Sequence, residues 1–197
     1  MVGIILRNKL KIQLKKIANI RSGVFFKPYS QGDVMYLQAK DFDKNGKLSS
    51  PLFPALKWTD VSEKHLLNSG DVVFAAKGWK NFASVYDNSG LPAVASTSFL
   101  VISLVVDYIE PRFLAWWLNS MEIQEFLKGI AKGTSLPSIT KAQMEQLEVL
   151  ILPKKIQEKL IKVYDLSIQE KELQHQIAQL RSQKLEFEIK KALTRYE

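Results

Sequence analysis

The chain has 197 residues, 46% of them hydrophobic and 24% charged, which suits one globular domain with a proper core. Its 28 Lys and Arg against 20 Asp and Glu leave a formal net charge of +8, which points to a polyanionic partner, nucleic acid or an anionic surface. The cysteine count of 0 excludes disulfides and Cys-based zinc sites, so a reducing cytoplasm is the natural compartment. The N-terminal apolar run is too short for a secretory signal. The apolar run Phe99–Val106 is strand length, far below the ~20 residues of a membrane span, so no membrane partner is expected. The charge is uneven: Arg7, Lys9, Lys11, Lys15, Lys16, Arg21 and Lys27 all precede the first acid, Asp33.

Residues 4–20 mix period-two alternation at Leu10, Ile12 and Leu14 with a short helical ending at Ile17 and Ile20, and Gly23 marks a turn. VMYLQAKDF (34–42) reads as a strand and DKNGK (43–47) as a turn around Asn45-Gly46. SSPLFPALKW (49–58) is loop-like because of Pro51 and Pro54. A turn at 68–71 leads into strand VVFAA (72–76), a loop KGWKN (77–81), a strand with its turn at 83–90, and a buried strand SFLVISLV (98–105). Pro111 precedes a helical stretch, 112–133, with an apolar face of Phe113, Trp116, Trp117, Ile123, Phe126, Leu127 and Ile130. GTSLPSIT (133–140) breaks that stretch, and Thr140 is placed to cap KAQMEQL. LEVLILP (147–153) is a last strand.

From Lys154 onward there is no proline or glycine, and good helix formers run to the C-terminus. At about 1.5 Å per residue this is a rod on the order of 60 Å. Leu166, Leu173, Ile177 and Leu180 lie along it, and the last three alternate by four and three, as in a heptad seam. Leu185 and Ile189 restart the stripe off-phase. One helix cannot bury such a stripe alone, so a partner is expected, either the preceding domain or a second copy. The expected class is α+β: a β-rich domain with small helices over 1–153, then one long coiled-coil-forming helix over 154–197.

Enzyme signatures are missing. There is no GxGxxG, phosphate-binding loop or nucleophile elbow. His65 reads as an ordinary surface or half-buried residue and His175 as a solvated position on the rod. Glu188-Ile189-Lys190 spells a nuclease-like Glu-x-Lys, but that triplet arises by chance in so Lys- and Glu-rich a helix. Asp33, Asp41 and Asp43 lack the glycine and terminal glutamate of a calcium loop and read as turn chemistry. No catalytic residue, cofactor or metal is assigned, and the chain reads as non-catalytic.

Basic loops are the stronger signal. Lys77, Lys80 and Asn81 offer two cations and an amide at one tip, suited to phosphates and to an adenine edge. Trp79 fits that tip or the core equally well. Lys40, Lys44 and Lys47 flank another turn, and Arg21 and Lys27 add charge upstream. Lys132, Thr134, Ser135, Ser138 and Lys141 sit where one helix ends and the next begins, where free N–H groups favour phosphate.

Several segments in order resemble a type I restriction–modification specificity subunit: KKIANIRSG (15–23), YLQAKDFDKNGKL (36–48), SGDVVFAAKGWKNFASVY (69–86), IEPRFLAWWLNS (109–120) and GTSLPSITKAQMEQLEVLILPKKIQEKLI (133–161). Two departures stand out. The family's strand ends in paired prolines and a Glu-Gln pair, whereas Pro153 is followed here by Lys154-Lys155 and then Gln157-Glu158. A full subunit is expected to hold two recognition domains and two antiparallel long helices, whereas one of each is present. The resemblance implies a half-length form that reads double-stranded DNA through a target recognition domain. It also implies that the chain docks DNA methyltransferase (modification) subunits and a restriction subunit. The helix seam adds two-fold antiparallel pairing with a second copy through Leu166, Leu173, Ile177, Leu180, Leu185 and Ile189, so that two domains read an inverted repeat across an unread spacer. The competing reading is a coiled-coil scaffold or adaptor whose basic surface is incidental.

Overall fold

The computed structural model describes residues 10–43, 46–49, 52–78, 81–87, 90–131 and 137–194. Its centre is a four-stranded antiparallel sheet in the order β2-β7-β4-β5, formed by Ala18–Ser22, Phe99–Leu104, Val72–Ala75 and Ala83–Val85. Strand β4 is buried along its whole length, which suits its unbroken apolar sequence between two neighbours. Two small sheets flank it. Strand β1 (Lys11–Gln13) pairs antiparallel with β8 (Glu148–Leu150), and β3 (Met35–Leu37) pairs in parallel with β6 (Ala93–Ala95).

Side chains from alternate positions of β4 and β7 enter separate cores. Val73, Ala75, Phe99 and Val101 meet Leu37, Leu67, Phe82, Ala93 and Ala95. Phe42 joins this cluster with its ring centroid 5.3 Å from Phe82 and 5.6 Å from Phe99. Helix α1 (Pro111–Leu118) packs on β4 and β5, burying Phe113, Leu114, Trp117 and Leu118. Gly23 lies so close to the β6–β7 turn that a Cβ there would sit 2.1 Å from the Ser96 carbonyl oxygen.

Several sequence expectations change in detail. The stretch 34–42 is strand only at β3. Asp41 accepts from the Gln38 N–H at 2.9 Å and closes a 3-10 turn over Ala39–Asp41. The stretch 112–133 is two helices, α1 and α2 (Met121–Ile130), because Asn119 leaves the helix to serve another element. Its side chain exchanges two 2.8 Å hydrogen bonds with the Ala83 backbone and so pins the α1–α2 junction to β5. Strand β6 was not anticipated. Thr140 caps α3 (Lys141–Gln146) as expected, in a reciprocal capping box with Gln143.

Helix α4 runs Lys154–Leu193. The chain divides into two compact units, one ending at Gln157 and the other starting at Glu158. The first turn of α4 thus belongs to the sheet domain, where Gln157 is fully buried. Its amide donates to the carbonyls of Tyr108 and Leu152, both at 2.7 Å, and accepts from the Glu110 N–H at 2.9 Å. Lys154 pairs with Glu110 at 2.8 Å beside it. Within the second unit, Leu166, Leu173, Ile177, Leu180, Leu185 and Ile189 are all exposed, at 48% to 64%.

Candidate nucleic-acid interface

Three segments meet at the loop-bearing end of the β4–β5 hairpin. The loop after β4 closes through the Ala75 N–H donating to the Phe82 carbonyl at 2.8 Å. Asn81 donates to the Ala75 carbonyl at 2.7 Å. Beyond β4 the backbone continues its ladder with the segment before α3. Ile139 donates to the Ala76 carbonyl at 2.8 Å, Gly78 donates to the Pro137 carbonyl at 2.9 Å, and Lys77 stands opposite Ser138. Two regions about 60 residues apart in sequence are thereby joined.

The third segment is the turn after Phe42. Asp43 donates its N–H to the Lys47 carbonyl at 2.8 Å, and its carboxylate accepts from the Lys47 N–H at 2.9 Å. Gly46 adopts φ +77°, and a Cβ there would lie 2.7 Å from the Ala83 carbonyl oxygen, so the turn is pressed against the start of β5. Asp33 and Asp41 likewise spend carboxylate oxygens on the backbone N–H groups of Trp58 and Gln38. Lys40, Lys47 and Lys77 are exposed around this end, and Lys141 is half-exposed with Glu145 at 3.5 Å. Exposed ammonium groups carried on backbone held this firmly are the chemistry of phosphate contact.

The chain resembles known proteins in both sequence and fold over most of its length. The sequence matches the type I restriction modification DNA specificity domain over residues 8–181. The chain belongs to that family. No curated protein matches it significantly. Among solved structures, the fold resembles the S subunit of a type I restriction–modification system from M. genitalium, with 14% identity and a TM-score of 0.57 over 84% of this chain. The HsdS subunit from Thermoanaerobacter tengcongensis is similar at 15% identity and TM-score 0.56 over 86% of this chain. A chain from a structure on complex assembly and conformational transition of the type I R-M system gives 15% identity and TM-score 0.61 over 86%. The chain spans about 40% of the length of each of these proteins.

Within this specificity-domain chain, the expected contact residues separate into groups. Lys44, Trp79, Lys80, Lys132, Thr134 and Ser135 lie outside the described residues. Lys40, Lys47, Lys77, Ser138 and Lys141 belong to the three joined segments or flank them. Arg21 and Asn81 face inward. The Arg21 guanidinium donates to the carbonyls of His65 at 3.2 Å and Leu66 at 2.7 Å and stands 3.5 Å from Asp71. Asn81 spends its amide on loop closure. The α3 start also differs from expectation, because Thr140 and Gln143 cap one another and occupy N–H groups expected to be free for phosphate.

Lys27 belongs to a surface that sequence reasoning missed. The segment around 24–33 pairs with 55–58, through Tyr29 donating to the Ala55 carbonyl at 2.7 Å and Asp33 donating to the Leu56 carbonyl at 2.8 Å. Phe25 and Phe53 stand 76% and 80% exposed, with Tyr29 and Trp58 also exposed and the Lys57 ammonium 4.9 Å from the Tyr29 ring centroid. Asp60 accepts from the Tyr29 hydroxyl and raises its pKa above the ordinary value. Burial first, then Lys64 and Arg21, lower the pKa of His65, which is therefore neutral at pH 7. Open rings among lysines can stack on bases or wedge between base steps. The signal was the pattern itself: FFKPYS and PLFPALKW place aromatic residues beside prolines in segments with no strand or helix period.

Proposed function

We propose that this chain is a DNA sequence-specificity module without catalytic activity of its own. The domain up to Pro153 contacts duplex DNA, and the helix from Lys154 pairs with a second copy and docks modification and restriction subunits. Two copies related by a two-fold axis read a bipartite inverted repeat, with the helices setting the spacer as a rod on the order of 60 Å. The observation that carries this reading is the joining of residues 46–48, 77–78 and 137–139 around the start of β5 and the end of β4 into one lysine-rimmed end, in a chain of the specificity-domain family. Pairing through α4 is supported by a stripe of apolar side chains exposed from Val163 to Leu193.

Losing a phosphate contact weakens binding to all sequences alike, and each contact contributes about 0.9 to the slope of log affinity against log salt. Lys40→Ala and Lys77→Ala are each expected to lower affinity several-fold for target and non-target duplexes and to reduce that slope by about one. Titration of fluorescent duplexes across a salt series measures both. An unchanged slope in both variants would remove this end of the domain from the interface.

A further inference from the structure

Phe25 is a bare ring on a clamped backbone. It stands 76% exposed, yet the residues on both sides of it are tied to the buried Tyr36. The Tyr36 hydroxyl donates to the Val24 carbonyl at 3.0 Å and accepts from the Phe26 N–H at 3.2 Å. Phe26 turns its ring edge-on to Tyr36, with centroids 6.1 Å apart. Gly23 and Val24 each donate an N–H at 2.9 Å, to the carbonyls of Phe99 and Ala95. Of two adjacent phenyl rings, one is packed inward and the other is held out in solvent. Tyr29 and Trp58, also exposed, lie farther along the paired segments 24–33 and 55–58. A run of open rings, unlike a single one, marks a contact surface, and a fixed backbone lowers the entropy lost on contact.

The backbone places Phe25 at the lysine-rimmed end. Ala95 is followed by Ser96, whose N–H donates at 2.9 Å to the Leu37 carbonyl, just before the turn that carries Lys40. Ser98 accepts at 2.8 Å from the Ala76 N–H, next to Lys77. Strands β2, β3, β4 and β6 all finish here, and the segment bearing Phe25 and the exposed Lys27 leaves from the same place. A phenyl ring has neither charge nor hydrogen-bonding atoms, so it offers nothing to a phosphate. The apolar surfaces of a duplex are the faces of its bases, which a ring reaches by wedging in at a step.

We propose that Phe25 is a base-stacking residue that enters the duplex at one step while Lys40 and Lys77 hold phosphates beside it. This rests on the reading of this end as the DNA-contacting surface. To its charge contacts it adds an uncharged one that unstacks the bound DNA.

The test uses the full chain with a duplex selected for binding from a random pool. Phe25→Ala is expected to lower affinity at least about fivefold and to leave the salt slope unchanged, because no charge is lost. Phe25→Leu is apolar but cannot stack, and is expected to lose as much. Phe25→Trp keeps a stacking face and is expected to stay within about twofold of the parent. Lys77→Ala gives the opposite signature, a slope reduced by about one. Replacing successive adenines by 2-aminopurine reads the wedge directly: the parent raises fluorescence at one step, and F25A at none. Equal affinity of F25A and parent, or no step that brightens, would overturn the stacking role while a reduced K77A slope keeps the DNA-contacting end. Weakened binding of F25A to a modification subunit, with DNA affinity intact, would assign the ring to a protein partner and overturn the proposal. A parent that binds no duplex, or unchanged slopes in both K40A and K77A, would overturn the reading of this end together with it.

Discussion

Gln157→Leu is expected to destabilise the sheet domain by about 3 to 5 kcal/mol, the largest single-residue effect outside the apolar core. The side chain is fully buried and satisfies three backbone groups, the carbonyls of Tyr108 and Leu152 and the N–H of Glu110. Leucine fits the volume but leaves all three without a partner, and each buried orphan costs about 1 to 3 kcal/mol. The site also joins three elements: the segment after β7, the residue before α1, and the turn that launches α4. Urea unfolding followed by tryptophan fluorescence would show a lowered midpoint with an unchanged slope. A loss below about 1 kcal/mol would mean that the α4 junction is held by other contacts.

Arg21→Met is expected to cost about 2 to 3 kcal/mol of stability and to leave the salt dependence of DNA binding unchanged. The Asp71 side chain opposite is only 4% exposed, and it already accepts from Ser103 Oγ at 2.6 Å and from the Asn68 N–H at 2.9 Å. Removing the cation leaves that carboxylate buried without its counter-charge and frees the carbonyls of His65 and Leu66. Arg21 keeps 30% of its side chain exposed, so solvent recovers part of the loss. A chevron or equilibrium melt gives the first quantity and a salt titration of DNA affinity the second. A slope reduced by about one with stability intact would return Arg21 to the interface.

These two residues mark where the sequence was legible and where it was not. Helix α4 was plain because its signal is local: no breaker and a steady supply of helix formers. The Thr140 cap and the Gly46 turn were plain for the same reason, since each is decided within four residues. Strand β6 was not, because three residues of Ala-Val-Ala acquire their state from parallel pairing with β3, nearly 60 residues earlier. The break between α1 and α2 depends on Asn119 finding Ala83, another distant partner. Arg21 counted as surface charge in the sequence, yet a carboxylate 50 residues away turns it inward. Gln157-Glu158 stood as a departure from the family's pair, yet Gln157 proved to be the buried anchor. Charge totals find a basic protein, but only tertiary contacts separate the lysines that remain outside from the cations already engaged.

Selection of bound duplexes from a random pool tests the central claim most directly, run with the full chain alone and with a modification subunit added. An enriched pair of inverted half-sites at a fixed spacing is the expected outcome, establishing base reading and two-fold pairing at once. Recovery of no common sequence under either condition would contradict the account and leave a basic coiled-coil scaffold in its place.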